Sequence, residues 1–457
     1  AMRLNSRLLL GAALAVNAAF ALPTLRASEI FQVATTRHRA SSARRYAPDQ
    51  VIVQFKDGVD ERVAPLAIHE AGGGRARRSA FGGRYLVTLD AGFSVEHALT
   101  RFHGMPEVDY VEPNRLARAF DAGPGHFSPN DKYYYLQWNL KMVDAERTWG
   151  IQKGDPSVVV AVLDTGIAYE DYGPFRKAPD FGSTVFVPGL NAIAGGSHAN
   201  DDNFHGTHVA STIAEATNNN LGAAGLAFGC ALMPVKVLDD EGNGSYFDVA
   251  EGVDYAVNFS QGGQKPVKVI NLSLGGDEAD RTLTDALNRA VEAGITVVAA
   301  SGNEDVGNVA FPASLDKAIA VGALDGRKLR ASYSNWGSAL DLVAPGGDVD
   351  RDDTGPDGRP DGRPDGVLQQ TFDPYQAALR HRYDDFAYWW VSGTSMATAH
   401  VSAVAALLYR QGITNPAAIK AALQSTAEDL GTPGRDDFYG HGLIRPVAAL
   451  SGLGLSK

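Results

Sequence analysis

A carboxylate, an imidazole, an amide and a hydroxyl stand out along this 457-residue chain, because each falls where a regular element begins or ends. Asp164 follows the apolar run Val158–Leu163, which puts an acid at the C-terminal end of a buried strand. His205 opens a helical pattern with Gly206, Thr207 and His208 behind it, and Gly206 lets another backbone come close to the imidazole. Asn303 follows the apolar run Thr296–Ala300 by way of Ser301 and Gly302. Ser395, in Gly393-Thr394-Ser395, starts a long helix that runs to about Tyr409, so the positive end of the helix dipole lies at its hydroxyl. An acid, an imidazole and a hydroxyl brought together can make serine a nucleophile, and an amide beside them can hold an oxyanion. Each residue also has a plainer reading: a helix-capping Asp, a His205/His208 metal pair at i,i+3, an N-cap Ser or Thr, and a turn Asn. A zinc site of the His-Glu-x-x-His kind would need a third ligand and a base carboxylate, which the sequence around His205 lacks.

The elements that must position these residues form two units. Between Asp49 and about Asn114, the pattern reads strand 51–55, helix 60–71, strand 85–89, helix 94–102 and strand 108–111, with Ser94 as N-cap. That order predicts a small α+β sandwich with helices on one face of an antiparallel sheet. Beyond Phe127, the apolar runs 158–163, 232–238, 267–274, 296–300 and 318–321 alternate with helical patterns at 247–258 and 283–293. Such alternation predicts an α/β domain built on a mainly parallel sheet covered on both faces, with ligands bound outside the strands' C-terminal ends. Residues 28–48, poor in large apolar groups, read as a linker.

Composition narrows the function further. A net charge of −12 argues against a general nucleic-acid surface. The single cysteine, Cys230, rules out an internal disulfide and reads as a packed small hydrophobe within Leu226–Leu232. Arg3 and Arg7, the apolar stretch Leu8–Ala21 and the pattern Ala19-Phe20-Ala21 read as an export signal within residues 1–27, with no membrane span left after its removal.

Taken in order, the segments around Asp164, His205, Asn303 and Ser395, with Tyr439–Ile444 near the C-terminus, resemble the subtilisin-like serine proteases over roughly residues 127–450. The resemblance implies a three-layer subtilisin-like domain at residues 119–457 and a secreted serine endopeptidase. In it, His205 would take the Ser395 proton, Asp164 would fix the imidazole, and Asn303 with the Ser395 N–H would hold the oxyanion. It also implies an extended protein or peptide substrate lying between one edge at Gly242, Gly244 and Tyr246 and another at Ser273, Leu274 and Gly275. Tyr246 would form the rim of a pocket for an upstream apolar side chain. Residues 49–118 resemble the family's inhibitory propeptide domain, of ferredoxin-like α+β build, which implies self-cleavage between Arg115 and Phe127 and a mature monomer. Structural calcium is implied at Asp131, Asp180 and Asn219. A second calcium site is suggested by Asp348, Asp350 and Asp352 in an acidic insertion at residues 348–366, although Asp353 and Arg359 replace the Gly and Glu of an EF-hand loop. Ala399 stands where the family has proline before His400, a change a helix accommodates. Two rival readings remain at this point: a catalytically weak peptide-binding relative, and a zinc-dependent hydrolase using His205 and His208.

Overall fold

The computed structural model describes residues 46–60, 62–80, 83–115, 125–349 and 363–452. The expected export signal and most of the linker lie outside the described residues, as do Asp350 and Asp352. The chain divides into two compact units, Ala1–Ala119 and Phe120–Lys457.

The first unit has the element order β1 (Tyr46–Phe55), α1 (Val63–Glu70), β2 (Gly73–Arg78), β3 (Arg84–Leu89), α2 (Val95–His103) and β4 (Val108–Arg115). Its four strands lie in the order β2-β3-β1-β4, all antiparallel, which is the split βαβ arrangement of ferredoxin-like folds. Val51, Val53, Val87, Ala98 and Phe102 fill its core. Ser94 caps α2 by accepting from the His97 N–H. Strand β2 was invisible in the sequence. It is an edge strand with five of its six residues exposed, three of them arginine, so no apolar alternation marks it.

The second unit opens with the short helices α3 (Trp138–Met142) and α4 (Ala145–Ile151). Seven strands then form one parallel sheet: β5 (Val159–Asp164), β6 (Leu190–Asn191), β7 (Ala231–Lys236), β8 (Val267–Leu272), β9 (Thr296–Ala300), β10 (Ile319–Leu324) and β11 (Leu342–Pro345). Their order is β11-β10-β9-β8-β5-β7-β6. The chain builds β7 and β6 on one side of β5, then crosses to lay β8 on the other, so the topological switch falls between β5 and β8. Helices α5 (His205–Ala214) and α9 (Thr394–Arg410) pack together, as do α6 (Tyr246–Asn258) and α7 (Arg281–Glu292). β12 (Val367–Phe372) and β13 (Phe386–Val391) form an antiparallel hairpin around α8 (Pro374–Arg380), and β12 packs on α5. Helices α10 (Pro416–Thr426) and α11 (Pro446–Leu450) complete the unit. Helix α9 is buried from Thr394 through Leu408, which its run of Ala, Ser and Thr permits because small side chains let the sheet approach closely. Cys230 is buried in this core, and burial pushes its thiol up to about 12, in keeping with packing rather than reactivity.

One expected edge is corrected. Gly242–Tyr246 is not a strand: the Asp239 carboxylate gathers the N–H groups of Glu241 and Asn243 into a turn, and Tyr246 is the first residue of α6. Ser245 caps that helix by accepting from the Asp248 N–H at 3.1 Å, and its own hydroxyl donates to the Asp248 carboxylate.

Candidate active site

Three adjacent parallel strands deliver the site. Asp164 is the last residue of β5, Ser273 follows β8, and Asn303 lies three residues beyond β9; Leu163 pairs with Leu272, and Leu272 with Ala299. Two helix N-termini supply the rest. His205 begins α5, and Ser395 is the second residue of α9.

The acid and the imidazole are joined. His205 Nδ1 donates to Asp164 Oδ1 at 2.7 Å, and the same oxygen accepts the Thr165 N–H at 2.7 Å. Asp164 is fully buried, and its Oδ2 has no hydrogen-bond partner among the described residues. With Nδ1 committed as a donor, Nε2 of the neutral ring carries the lone pair, the tautomer a general base needs. Burial alone would lower the His205 pKa. The Asp164 charge, its hydrogen bond and the more distant Asp201 charge outweigh that, so the pKa lies above the ordinary histidine value.

Sequence reasoning missed the clasp that orients this ring. Asp201, wholly buried, accepts from Thr165 Oγ1, Asn203 N and Phe204 N on one oxygen and from Thr207 N and Thr207 Oγ1 on the other, at 2.6–3.1 Å. Thr165 Oγ1 in turn accepts the Gly206 N–H at 2.9 Å, tying the end of β5 to the start of α5. A side chain at Gly206 would strike the Gly166 carbonyl, so glycine is required for that approach. Phe204 is held at φ +113°, a costly conformation for a bulky residue, by Asp201 at its N–H and by Thr371 Oγ1 of β12 at its carbonyl. On the far side, Lys236 at the end of β7 donates to the Thr165 and Leu238 carbonyls and to Asp202.

The hydroxyl and the amide meet at the head of α9. The Thr394 N–H and Oγ1 both donate to Asn303 Oδ1, at 3.0 and 2.8 Å. A backbone N–H can only donate, so the atom facing it must be the amide oxygen, and the Asn303 NH₂ is left to face the cavity. The Asn303 side chain and the N-terminal turn of α9 at Ser395 line the same cavity, so the free amide NH₂ and the Ser395 N–H are available as donors there. Ser395 Oγ donates to the Ser273 carbonyl at 3.2 Å rather than to His205. Catalytic hydrogen bonds often tighten only once substrate is bound. A buried relay fixes this corner: Ser402 Oγ donates to Asn271 Oδ1, Asn271 Nδ2 to Ser273 Oγ, and Ser273 Oγ to the Ser395 carbonyl.

The expected substrate segments border the same cleft. Ser273, Leu274 and Gly275 line a cavity of about 350 Å³ together with Asn303 and Ser395. Among the described residues, no backbone hydrogen bond engages Leu274 or Gly275, whereas Gly276 exchanges two with Phe311. Gly244 packs against the Val237 carbonyl so closely that a Cβ there would clash, and Tyr246 stands edge-on to Phe311.

The expected calcium residues also gather. Asn219 Nδ2 donates to Asp180 Oδ1 at 2.6 Å, and Asn218 N donates to Asp131 Oδ2 at 2.7 Å. Asn219 thus turns its amide nitrogen to Asp180 and its oxygen to the Leu221 N–H. Sequence reasoning missed Glu215, which is fully buried with neither carboxyl oxygen hydrogen-bonded by a donor among the described residues. Burial first, then the Asp180 charge, raises its pKa well above the carboxylate range. This excess of buried hard oxygen fits a calcium ion in its chemistry, but no three His, Cys, Asp or Glu side chains converge as a metal site among the described residues. Asp348 is buried instead, with its carboxylate accepting from Ser332 N and Oγ.

The zinc reading is not supported. His208 is fully buried, its Nε2 is directed at the carbonyls of Val367 and Trp389, and burial lowers its pKa to about 3. It is a core histidine.

Comparison with known proteins gives the same class. The subtilase family description matches residues 155–442, and the fervidolysin N-terminal prodomain description matches residues 33–114. The chain is 34% identical to a thermophilic serine proteinase from Bacillus sp. (strain AK1), over 89% of this chain and 88% of that one. It is 37% identical to subtilisin Savinase of Lederbergia lenta, over 69% of this chain and 98% of that one. A solved structure of proteases from Pseudoalteromonas arctica superposes with a TM-score of 0.61 at 30% identity, covering 71% of this chain and 99% of that one. The chain belongs to the subtilase family. It is a subtilisin-like serine endopeptidase with an N-terminal prodomain, which leaves the reading of a mere peptide-binding relative without support.

Proposed function

We propose that Asp164, His205 and Ser395 are the catalytic triad and that Asn303 with the Ser395 N–H forms the oxyanion hole. The observation that carries this is the 2.7 Å bond from His205 Nδ1 to Asp164 at the C-terminal end of β5, with Ser273 and the head of α9 beside it. His205 Nε2 accepts the Ser395 proton as Oγ attacks the peptide carbonyl, Asp164 stabilises the imidazolium, and the returned proton leaves with the amine product. Water then hydrolyses the acyl-enzyme by the same route in reverse. The substrate backbone pairs with Leu274 and Gly275 on one side and passes Gly242, Gly244 and Tyr246 on the other.

Residues 49–118 act as a propeptide that inhibits the enzyme until it cuts itself free between Arg115 and Phe127. The export signal read in residues 1–27 directs the precursor out of the cell, and calcium held by Asp131, Asp180 and Asn219 stabilises the mature protein. Ser395→Ala tests the reading. The variant should accumulate as full-length precursor and should not digest casein, whereas the parent matures and digests it. Equal maturation and digestion by both proteins would overturn the assignment.

A further inference from the structure

The cavity beside Ser395 and Asn303 is the nearest space for the side chain of the residue whose carbonyl is attacked. Its walls are the backbone segments 273–277 and 300–304, and its interior is kept open by Gly275, Gly302 and Ala310. The charged side chains lining it are both acidic, Asp277 and Glu304. Asp277 is exposed and, among the described residues, makes no hydrogen bond or ion pair. Glu304 uses Oε2 to accept from the Asn303 N–H and from Asn335 Nδ2, at 2.9 and 2.7 Å, which fixes the group at the cavity wall and leaves Oε1 without a partner among the described residues. Among the described residues, no ion pair to Glu304 is formed, and Arg330 is paired with Asp305, the next residue along. Glu278 and Asp280 extend the negative rim: after burial, the charges of Asp277, Asp280 and Glu278 raise the Tyr246 phenol pKa.

We infer that this cavity selects lysine or arginine as the residue immediately N-terminal to the scissile bond, through Asp277 and Glu304. The inference rests on the serine-endopeptidase reading above and names its substrate class. A long cationic side chain can lay its apolar stem along the glycine-lined walls and place its charge between two carboxylates. An apolar side chain would leave both acids in place with nothing to neutralise them. The chain offers its own candidate substrate. Between Arg115 and Phe127, the expected processing window, the lysines and arginines are Arg115 and Arg118 alone. Maturation should therefore leave Leu116 or Ala119 as the new N-terminus.

The test uses the matured enzyme and a set of peptide anilides that differ only in the residue before the anilide: Arg, Lys, Leu, Phe or Glu. The expected result is a kcat/KM for Arg and Lys about tenfold or more above that for Leu and Phe, with a preference that shrinks as salt rises. Asp277→Asn with Glu304→Gln, which keep side-chain shape, should cut the Arg-to-Leu ratio about tenfold. N-terminal sequencing of the parent's mature form should read from Leu116 or Ala119. A parent that prefers Leu or Phe, or a double variant with an unchanged ratio, overturns the inference alone. Hydrolysis of none of the anilides overturns the catalytic reading together with it.

Discussion

The Thr394 N–H donates to Asn303 Oδ1, and this one bond decides which end of the asparagine amide faces the active-site cavity. A loop residue after β9 is thereby oriented by the first residue of α9, and the proposed oxyanion donors are set before substrate arrives. Asn303→Ala should lower kcat by about 10²–10³, the range known for loss of the equivalent amide in subtilisin, with little change in KM. Steady-state kinetics on one anilide measures both. An equal rise in KM at constant kcat would instead make Asn303 a ground-state binding residue.

The raised pKa of His205 fixes the sign of the pH profile. Catalysis needs the neutral ring, so kcat/KM should rise with pH through a value above the ordinary histidine pKa of about 6.5. Stability runs the other way. A histidine raised on folding contributes stability below its unfolded pKa, and that contribution is lost as pH rises through the folded one. Asp164→Asn should move the acid limb down and cut kcat by about 10⁴. A limb that does not move would show that Asp164 is not the dominant partner.

Asp201 is expected to act through position. An amide at that site cannot accept on both sides, so Asp201→Asn should unfold more easily by about 2–3 kcal/mol. It should also lower kcat and move the acid limb down by less than Asp164→Asn does, since Asp164 still faces the ring and the Asp201 charge is the smallest of the contributions that raise the His205 pKa. Denaturant melts and a pH–rate profile separate this from a direct catalytic role.

Calcium should be visible as a stability effect. At a hundredfold excess over its Kd, a bound ion contributes about 3 kcal/mol, or roughly 3–5 °C in Tm for a protein of this size. Calorimetry with and without EGTA measures the shift, and Asp180→Asn should abolish most of it. A Tm indifferent to EGTA would remove the calcium reading.

The chemistry of this site was legible because its residues sit at element ends that the sequence marks strongly. The all-apolar Val158–Leu163 announced β5 and so placed Asp164, and the small-residue helix after Ser395 announced α9. The supporting residues were not legible. Asp201, Thr165 and Asn271 act through tertiary hydrogen bonds between segments far apart in sequence, and no local pattern encodes them. β12 was missed for a related reason. Gln369, Gln370 and Thr371 look solvent-facing, yet they are buried against α5 and the loops beside it, where their side chains find backbone partners. At Tyr246 the information was present: Ser245 followed three residues later by Asp248 is a helix-start signature, and it outweighs the glycine pattern that suggested an edge strand.

Because Thr371 of the β12–β13 hairpin grips the Phe204 carbonyl, the hairpin and the imidazole are mechanically linked. Pulling the hairpin outward would let Phe204 relax from its forced backbone angle and rotate the next residue, His205, away from Asp164. Damage to the hairpin should therefore silence the enzyme while most of the sheet is still intact, and loss of turnover would serve as an early alarm for it.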